Sequence, residues 1–250
     1  MDLYLKGKTA VVTGASQGIG RAIVKQLALE GVTVFATARN NDLLNSLKEE
    51  VTAAGRTTPI TFVQDFMAAD AAQHIAAAAL NALGHVDILV NNTGRSQPLD
   101  ITGADEAWND SLTLDFNRHR QLTQALLPHM MERKQGAILN ITSTYELGSI
   151  NASAVAKAAT AVWAKQLSVQ LGKYGIRVNS LQPGLIDTNN IRRFFPGDER
   201  KKFADQEIAL GDFGTPEDMA NMAVFLVSPR ASYVTGTVAV VDGGMRKYPF

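Results

Sequence analysis

The stretch from Thr9 to Gly20, TAVVTGASQGIG, constrains this chain more than any other. Ala10, Val11 and Val12 form a short apolar run of the kind found in strands buried on both faces. Gly14, Gly18 and Gly20 follow at G-x-x-x-G-x-G spacing, ahead of an amphipathic run from Arg21 to Glu30. The pattern reads as a strand, a tight turn and a helix start. Glycine suits these positions because the backbone must turn sharply, approach a pyrophosphate without a Cβ in the way, and let the helix pack on the strand. The free N–H groups and positive dipole end of that helix make an anion site at the mouth of the first βα unit.

The same residues, Gly14-Ala15-Ser16-Gln17-Gly18, also fit G-x-S-x-G, the turn that exposes a nucleophilic serine in α/β hydrolases. Such an elbow needs earlier strands to supply its second oxyanion donor, and too little chain precedes Gly14 to provide them. A plain glycine turn is the bland alternative, since a lone glycine pattern is weak evidence without its context.

Composition narrows the field further. At 250 residues and 46% hydrophobic content, one α/β domain spanning 1–250 is expected. Lys plus Arg (24) balances Asp plus Glu (24) and the basic residues are dispersed, so neither nucleic acid nor an anionic membrane is an expected partner. The absence of cysteine excludes disulfides, thiolate metal sites and cysteine nucleophiles. His74, His85, His119 and His129 show no metal-binding spacing, so they read as solvated or capping residues and no metal site is expected. With Asp2 at the start and no apolar stretch of membrane-span length, the chain reads as soluble and cytoplasmic.

Along the chain, apolar runs at Val32 to Ala38, Pro59 to Gln64, Val86 to Val90, Ala137 to Ile141, Ile176 to Leu181 and Thr237 to Val241 predict further strands. Helical patterns occupy Asn41 to Ala54, Ala68 to Leu83, Asp105 to Arg133 with a late break at Pro128, Ala152 to Gly172 and Met219 to Leu226. The alternation predicts a doubly wound parallel β-sheet flanked by helices on both faces. Ligands in such sheets bind outside the carboxyl ends of the strands, which directs attention to Arg39, Asp65, Asn91 to Gly94, Ser143 and Pro183-Gly184. With Ala38 and Arg39 at the end of the second strand there is no acid for a ribose 2′-hydroxyl, and a guanidinium suits a 2′-phosphate, so NADP(H) is favoured over NAD(H). Residues 187–213 lack a clear period, carry Arg192, Arg193, Lys201 and Lys202, and read as a substrate lid. Those cations suit an anionic substrate, although a solvated charge run is the simpler explanation.

Taken together, these residues resemble the short-chain dehydrogenase/reductase family over almost the whole chain. Thr13-Gly14 with Gly18 and Gly20 is similar to the family's cofactor turn, Asn91-Asn92-Thr93-Gly94 to its N-N-A-G, and Asp242-Gly243-Gly244 to its C-terminal signature. The resemblance implies a single-domain Rossmann-like fold and cofactor contacts from Gly14, Ser16, Gln17, Gly18, Ile19, Gly20, Arg39, Asp65, Phe66, Asn91, Thr93, Gly94, Lys157, Pro183, Gly184, Ile186 and Thr188. It assigns Asn117, downstream of Trp108, to the active-site asparagine, Ser143 to the catalytic serine and Lys157 to the catalytic lysine. It also implies a homotetramer built through the long helices near Asp105 to Arg133 and Ala152 to Gly172.

One position departs from the family. Its Y-x-x-x-K pattern, counted back from Lys157, meets Ser153 in place of tyrosine, and the interval from Ser143 to Lys157 is short. The tyrosine passes a proton to or from the substrate oxygen while hydride moves, and an aliphatic hydroxyl is a far weaker acid than a phenol of pKa ~10. Tyr145, in the altered loop, and then Ser153 are the candidate donors, with water relayed by Asn117 behind them. The expected function is an NADP(H)-dependent oxidoreductase acting on a small carbonyl or alcohol with an atypical proton donor. The alternative is a catalytically impaired NADP(H)-binding protein acting as a sensor or assembly partner.

Overall fold

The computed structural model describes residues 2–144, 148–195, 197 and 199–247, with the backbone alone at 190. Strand β1 (Thr9–Thr13) is buried throughout and turns into helix α1 (Gly18–Leu29). There follow β2 (Thr33–Ala38), α2 (Asn41–Ala53), β3 (Ile60–Val63), α3 (Ala71–Leu83) and β4 (Ile88–Asn91). The second half runs α4 (Asp105–Leu112), a π-helical turn (Thr113–Asn117), α5 (Arg118–Arg133), β5 (Gly136–Ile141), α6 (Ala152–Leu171) and β6 (Ile176–Pro183). It ends with α7 (Asn189–Phe194), α8 (Glu199–Glu207), α9 (Pro216–Val227) and β7 (Val238–Val241).

Among the described residues the strands make one seven-stranded sheet in the order β3-β2-β1-β4-β5-β6-β7. Every neighbouring pair is parallel. This is the doubly wound sheet that the strand and helix rhythm predicts. Its order reverses between β1 and β4, which opens a crevice at the carboxyl ends of those strands.

Alternate side chains of each central strand feed two separate cores, as the two-residue repeat of a strand requires. Ala10 and Val12 of β1 and Ile88 and Val90 of β4 pack with Ile23 and Leu27 of α1, Leu44 and Leu47 of α2 and Ala223 of α9. Val11 and Leu89 point the other way, onto Ile75 of α3, Leu122 and Leu126 of α5 and Ala164 of α6. A third, smaller cluster of Ala204, Ile208 and Phe213, with Phe195 and Phe203 against it, lies inside the segment read from sequence as a lid. That segment carries its own packing as α7 and α8.

The single long helix expected from Asp105 to Arg133 is instead two helices joined by the π-helical turn. The extra residue in that turn disturbs the regular bond ladder, and Thr160 Oγ on α6 donates to the Asp115 carbonyl at 3.0 Å. Pro128, expected to break the helix late, lies inside α5, which continues to Arg133. It tolerates the proline because Pro128 and Gln124, whose carbonyl loses its donor, are both exposed, while Leu122, Leu126 and Met130 anchor the opposite face. Among the described residues no helix is long and apolar enough to cross a membrane.

Candidate active site

A cleft of about 690 Å³ lies along the carboxyl ends of the central strands. Its floor is the β1–α1 turn. Gly14 and Gly18 hold φ of +62° and +54°, a left-handed backbone that a Cβ would strain. Gly20 meets a different constraint: a Cβ there would lie 2.4 Å from the Gly14 carbonyl oxygen. Asn92, just beyond β4, locks the turn by donating its side-chain amide to the carbonyls of Thr13 (2.9 Å) and Gly14 (3.1 Å). The backbone N–H groups of Asn92 and Thr93 donate to Thr13 Oγ. Helix α1 then begins with no side-chain cap at Gln17 and no acid in its first turn. Gln17, Gly18 and Ile19 line the cleft, so the helix presents unsatisfied N–H groups and its positive dipole end there.

Arg39 lies along the cleft past β2, exposed and with no ion-pair partner among the described residues. Asp65 and Phe66 line the same wall; Asp65 accepts from the Met67 N–H at 3.0 Å, and Phe66 stacks against His119 at 5.5 Å. On the opposite side, Pro183 and Gly184 carry β6 into the cleft, and a Cβ on Gly184 would lie 2.6 Å from that of Asp242. Thr188 caps α7 by accepting from the Ile191 N–H, and its methyl lies 3.3 Å from where a Cβ of Gly18 would stand. The segment after β6 therefore closes over the α1 N-terminus. A hydrogen bond from Arg192, joined by Arg200, holds the Asp187 carboxyl down to about 2 against the effect of burial. Lys201 pairs with Asp205. Arg192 and Lys201, which from sequence suited an anionic substrate, thus serve ion pairs within their own segment.

The far end of the cleft is built by α6. Asn151 caps this helix, accepting from the Ala154 N–H at 3.1 Å, and its own amide donates to Ser96 Oγ at 3.0 Å. Ser153 and Lys157, one helical turn apart, line the cleft together with Ser143 at the end of β5. Ser153 is 2% exposed, with its hydroxyl 3.5 Å from that of Ser111. Lys157 Nζ stands 3.9 Å from an oxygen of Asp115, whose side chain is wholly buried in the π-helical turn. That oxygen also accepts from the Arg95 N–H at 3.3 Å, while Oδ2 has no hydrogen-bond partner. Burial pushes the Asp115 carboxyl up from its ordinary value, against the opposing influences of Lys157, Ser153 and Arg95. Behind this pair His119 is pushed down to about 3 by burial and by the Lys157 charge, with the Thr93 backbone opposing.

Several sequence expectations change here. Asn117 lies two positions beyond Asp115, outside the cleft lining, because the π-helical turn rotates Asp115 toward Lys157. Asn91, expected at the cofactor, is wholly buried: its amide donates to Thr123 Oγ (3.0 Å) and Asn140 Oδ1 (2.9 Å), tying β4 to β5 and α5. Gly20 is likewise buried and acts through close packing, outside the lining. His119 is neither solvated nor a cap, being 1% exposed under the cleft. Ser16 lines the cleft without a histidine among its hydrogen-bond partners in the described residues, which removes the basis of the hydrolase elbow. Tyr145 lies outside the described residues. The remaining positions expected at the cofactor, Gly14, Ser16, Gln17, Gly18, Ile19, Arg39, Asp65, Phe66, Thr93, Gly94, Lys157, Pro183, Gly184, Ile186 and Thr188, all line the one cleft. Sequence reading missed Asp115 and Arg95, and it singled out Asn92 only as part of the Asn91 to Gly94 turn, without its lock on the carbonyls of Thr13 and Gly14.

The chain belongs to the short-chain dehydrogenase/reductase family. The family model described as enoyl-(acyl carrier protein) reductase matches residues 14–246. A probable 2,4-dienoyl-CoA reductase [(2E)-enoyl-CoA-producing] of Bacillus subtilis is 33% identical over 260 residues, covering 98% of this chain and all of the relative. L-sorbose reductase from Gluconobacter frateurii, complexed with NADPH and L-sorbose, superposes with a TM-score of 0.93 at 32% identity, covering 99% of this chain and 100% of that one. A 7α-hydroxysteroid dehydrogenase complexed with NADH and 7-oxo glycochenodeoxycholic acid superposes at 0.92 with 33% identity, covering 97% and 96%. The family shows this chain to be an oxidoreductase of that type.

Proposed function

We propose that this protein is an NADP(H)-dependent oxidoreductase that interconverts a carbonyl and an alcohol on a small-molecule substrate. One observation carries the reading: a single cleft joins an uncapped, glycine-lined helix N-terminus and Arg39, which has no ion-pair partner among the described residues, at one end to Lys157 and Ser143 at the other. The residues fit a dinucleotide, since the N-terminus of α1 has no side-chain cap and no acid in its first turn, and Gln17, Gly18 and Ile19 bring it to the cleft lining. When bound, that cofactor supplies or accepts the hydride.

The chain's own groups divide the remaining work. The N–H groups of the turn from Ser16 to Ile19 would hold a pyrophosphate through charge and hydrogen bonding. Arg39 would hold a ribose 2′-phosphate, for which its planar fork is suited. Asp65 and Phe66 border the adenosine end, and Thr93, Gly94, Pro183, Gly184, Ile186 and Thr188 the nicotinamide end. Lys157 would donate to the nicotinamide ribose hydroxyls and bring positive charge near the reacting oxygen. Ser143 would orient the substrate oxygen by a hydrogen bond. Arg95, Ser96 and Asn151 make the outer wall polar, which favours a substrate with polar groups beyond the reacting carbon.

Fluorescence titration with NADPH and NADH, followed by nicotinamide absorbance with a panel of ketones, aldehydes and alcohols, tests this reading. Tighter binding of NADPH and turnover on the panel are expected. Absence of binding overturns it. The serine at position 153 favours a second reading, a catalytically impaired NADP(H)-binding protein, for which the titration gives tight binding and the panel no hydride transfer. Exposed Val155, Val162 and Val169, spaced along one stripe of α6, support a homo-oligomer, and a tetramer fits the family.

A further inference from the structure

The cleft wall that follows β3 has few ties to the sheet. β3 is an edge strand of four residues and pairs with β2 alone. The last bond from this region to the sheet runs from the Gln64 N–H to the Ala38 carbonyl at 3.0 Å. Beyond it Asp65, Phe66 and Met67 line the cleft. Their bonds to one another are local: the Ala68 N–H donates to the Asp65 carbonyl, and the Met67 N–H to the Asp65 carboxylate. Phe66 sinks its ring into the core shared by α3 and α5, but the backbone on either side of it has no strand beside it. Segments with so few long-range bonds open readily.

Arg118, the first residue of α5, ties this backbone down from across the fold. Its Nε donates to the Phe66 carbonyl at 3.1 Å and one terminal nitrogen to that of Met67 at 2.9 Å. The other terminal nitrogen donates to the Ala69 carbonyl at 3.3 Å and to Gln121 Oε1 at 2.7 Å. No backbone N–H of the described residues donates to these three carbonyls, so without Arg118 they are left to water. The planar fork of a guanidinium can meet several acceptors of one turn at once, which the single nitrogen of a lysine does less well. His119, the next residue, lays its ring 5.5 Å from that of Phe66. Two adjacent side chains of α5 thus hold one stretch of cleft wall.

We propose, on the reading of this cleft as a dinucleotide site, that Arg118 is a positioning residue for the adenosine half of the cofactor. Arg118 does not line the cleft, so it acts through the backbone of residues 66–69. The clasp forms the wall of Asp65, Phe66 and Met67 before the cofactor arrives. Binding is then spared the entropy of ordering that segment. The nicotinamide end, built by Lys157 and Ser143, does not depend on it.

Hydrogen exchange and ligand titration of Arg118→Ala beside the parent test this. Without ligand, the amides of residues 65–70 should exchange faster in the variant, while those of β1 and β4 keep their protection. Affinity for adenosine 2′,5′-bisphosphate, followed by calorimetry, should fall about ten- to hundred-fold. Affinity for NADPH should fall by the same factor, since the loss sits in the half that the two ligands share. With the panel ketone turned over fastest, kcat at saturating NADPH should stay within about two-fold of the parent. If the parent binds NADH more tightly than NADPH, adenosine 5′-monophosphate and NADH take the place of this pair. Arg118→Lys keeps the charge and loses the fork, so it should show the same faster exchange and a loss in the same direction, which decides the matter if Arg118→Ala fails to fold. Parental affinity in Arg118→Ala, parental exchange at residues 65–70, or a loss for NADPH far exceeding that for the bisphosphate overturns the clasp alone. Full affinity in Arg118→Lys with residues 65–70 still exchanging fast shows a charge acting at a distance, and overturns it as well. A parent that binds neither the dinucleotides nor their adenosine fragments defeats the dinucleotide reading and the clasp with it.

Discussion

The two ends of the cleft are built on different principles. The end formed by the β1–α1 turn is made of backbone: two left-handed glycines, an uncapped helix, and a lock in which Asn92 and Thr13 bond to main-chain groups. The end formed by α6 and the π-helical turn is made of side chains from three separate segments, Ser153 and Lys157, Asp115, and Ser143. A backbone site depends on space and direction, so it tolerates change only where no Cβ intrudes. A side-chain site can exchange its functional groups while its frame stays intact. The glycine turn accordingly keeps a glycine wherever a Cβ would strain or collide with the backbone.

The sharpest way to separate the ends is Ser153→Ala, which should cost about 10²- to 10⁴-fold in turnover while NADPH affinity is kept, as measured by steady-state kinetics beside fluorescence titration. Tyr145→Phe should change turnover by no more than a few-fold; a loss of the larger size there would move the donor to Tyr145. Next in effect, Arg39→Ala removes one charge-assisted contact of about 1.5 to 3 kcal/mol, so the preference for NADPH over NADH should fall roughly ten- to hundred-fold with turnover on NADH unaffected. Equal binding of the two cofactors by the parent would break the comparison at its backbone end. Gly20→Ala forces a Cβ against the Gly14 carbonyl, and overpacking of this kind costs about 1–3 kcal/mol; both Tm and NADPH affinity should drop.

The smallest effect is a slope. His119 is held neutral with its pKa near 3, so the unfolded chain binds a proton that the native state refuses between pH ~6.5 and 3. Its contribution is complete above the unfolded value and declines as pH falls, by up to about 1.4 kcal/mol per pH unit. Asp115, shifted upward, has the opposite sign: its contribution is present in acid and is lost as pH rises through its folded pKa. Urea unfolding at pH 7.5 and 5.5 should therefore show less acid destabilisation in His119→Leu than in the parent. An unchanged difference between the two pH values would show that His119 is not the group responsible.

Legibility follows the same division. The apolar runs, the glycine spacing and the helix periods carry their meaning locally, so the strand order along the chain, the two-faced sheet and the glycine turn could be read from neighbours in sequence. Arg39 and Lys157 were legible because each is tied to the end or face of an element whose place follows from that rhythm. Asp115 was not. Its neighbours Leu114 and Phe116 are consistent with an ordinary helix, and Asn117 was the more natural candidate. Only the π-helical turn, with its irregular backbone anchored by Thr160 of α6, sets the rotation that brings Asp115 to Lys157 and leaves Asn117 outside. His119 and Asn91 were misplaced for a related reason, since burial depends on what α5, β4 and β5 cover once assembled. The sequence by itself determined the elements, the glycine turn and the chemical types available at the cleft, because these rest on local sterics and periodicity. Which acid meets which lysine, and which histidine loses its water, was decided by contacts between residues far apart in the chain, and only the tertiary structure sets those.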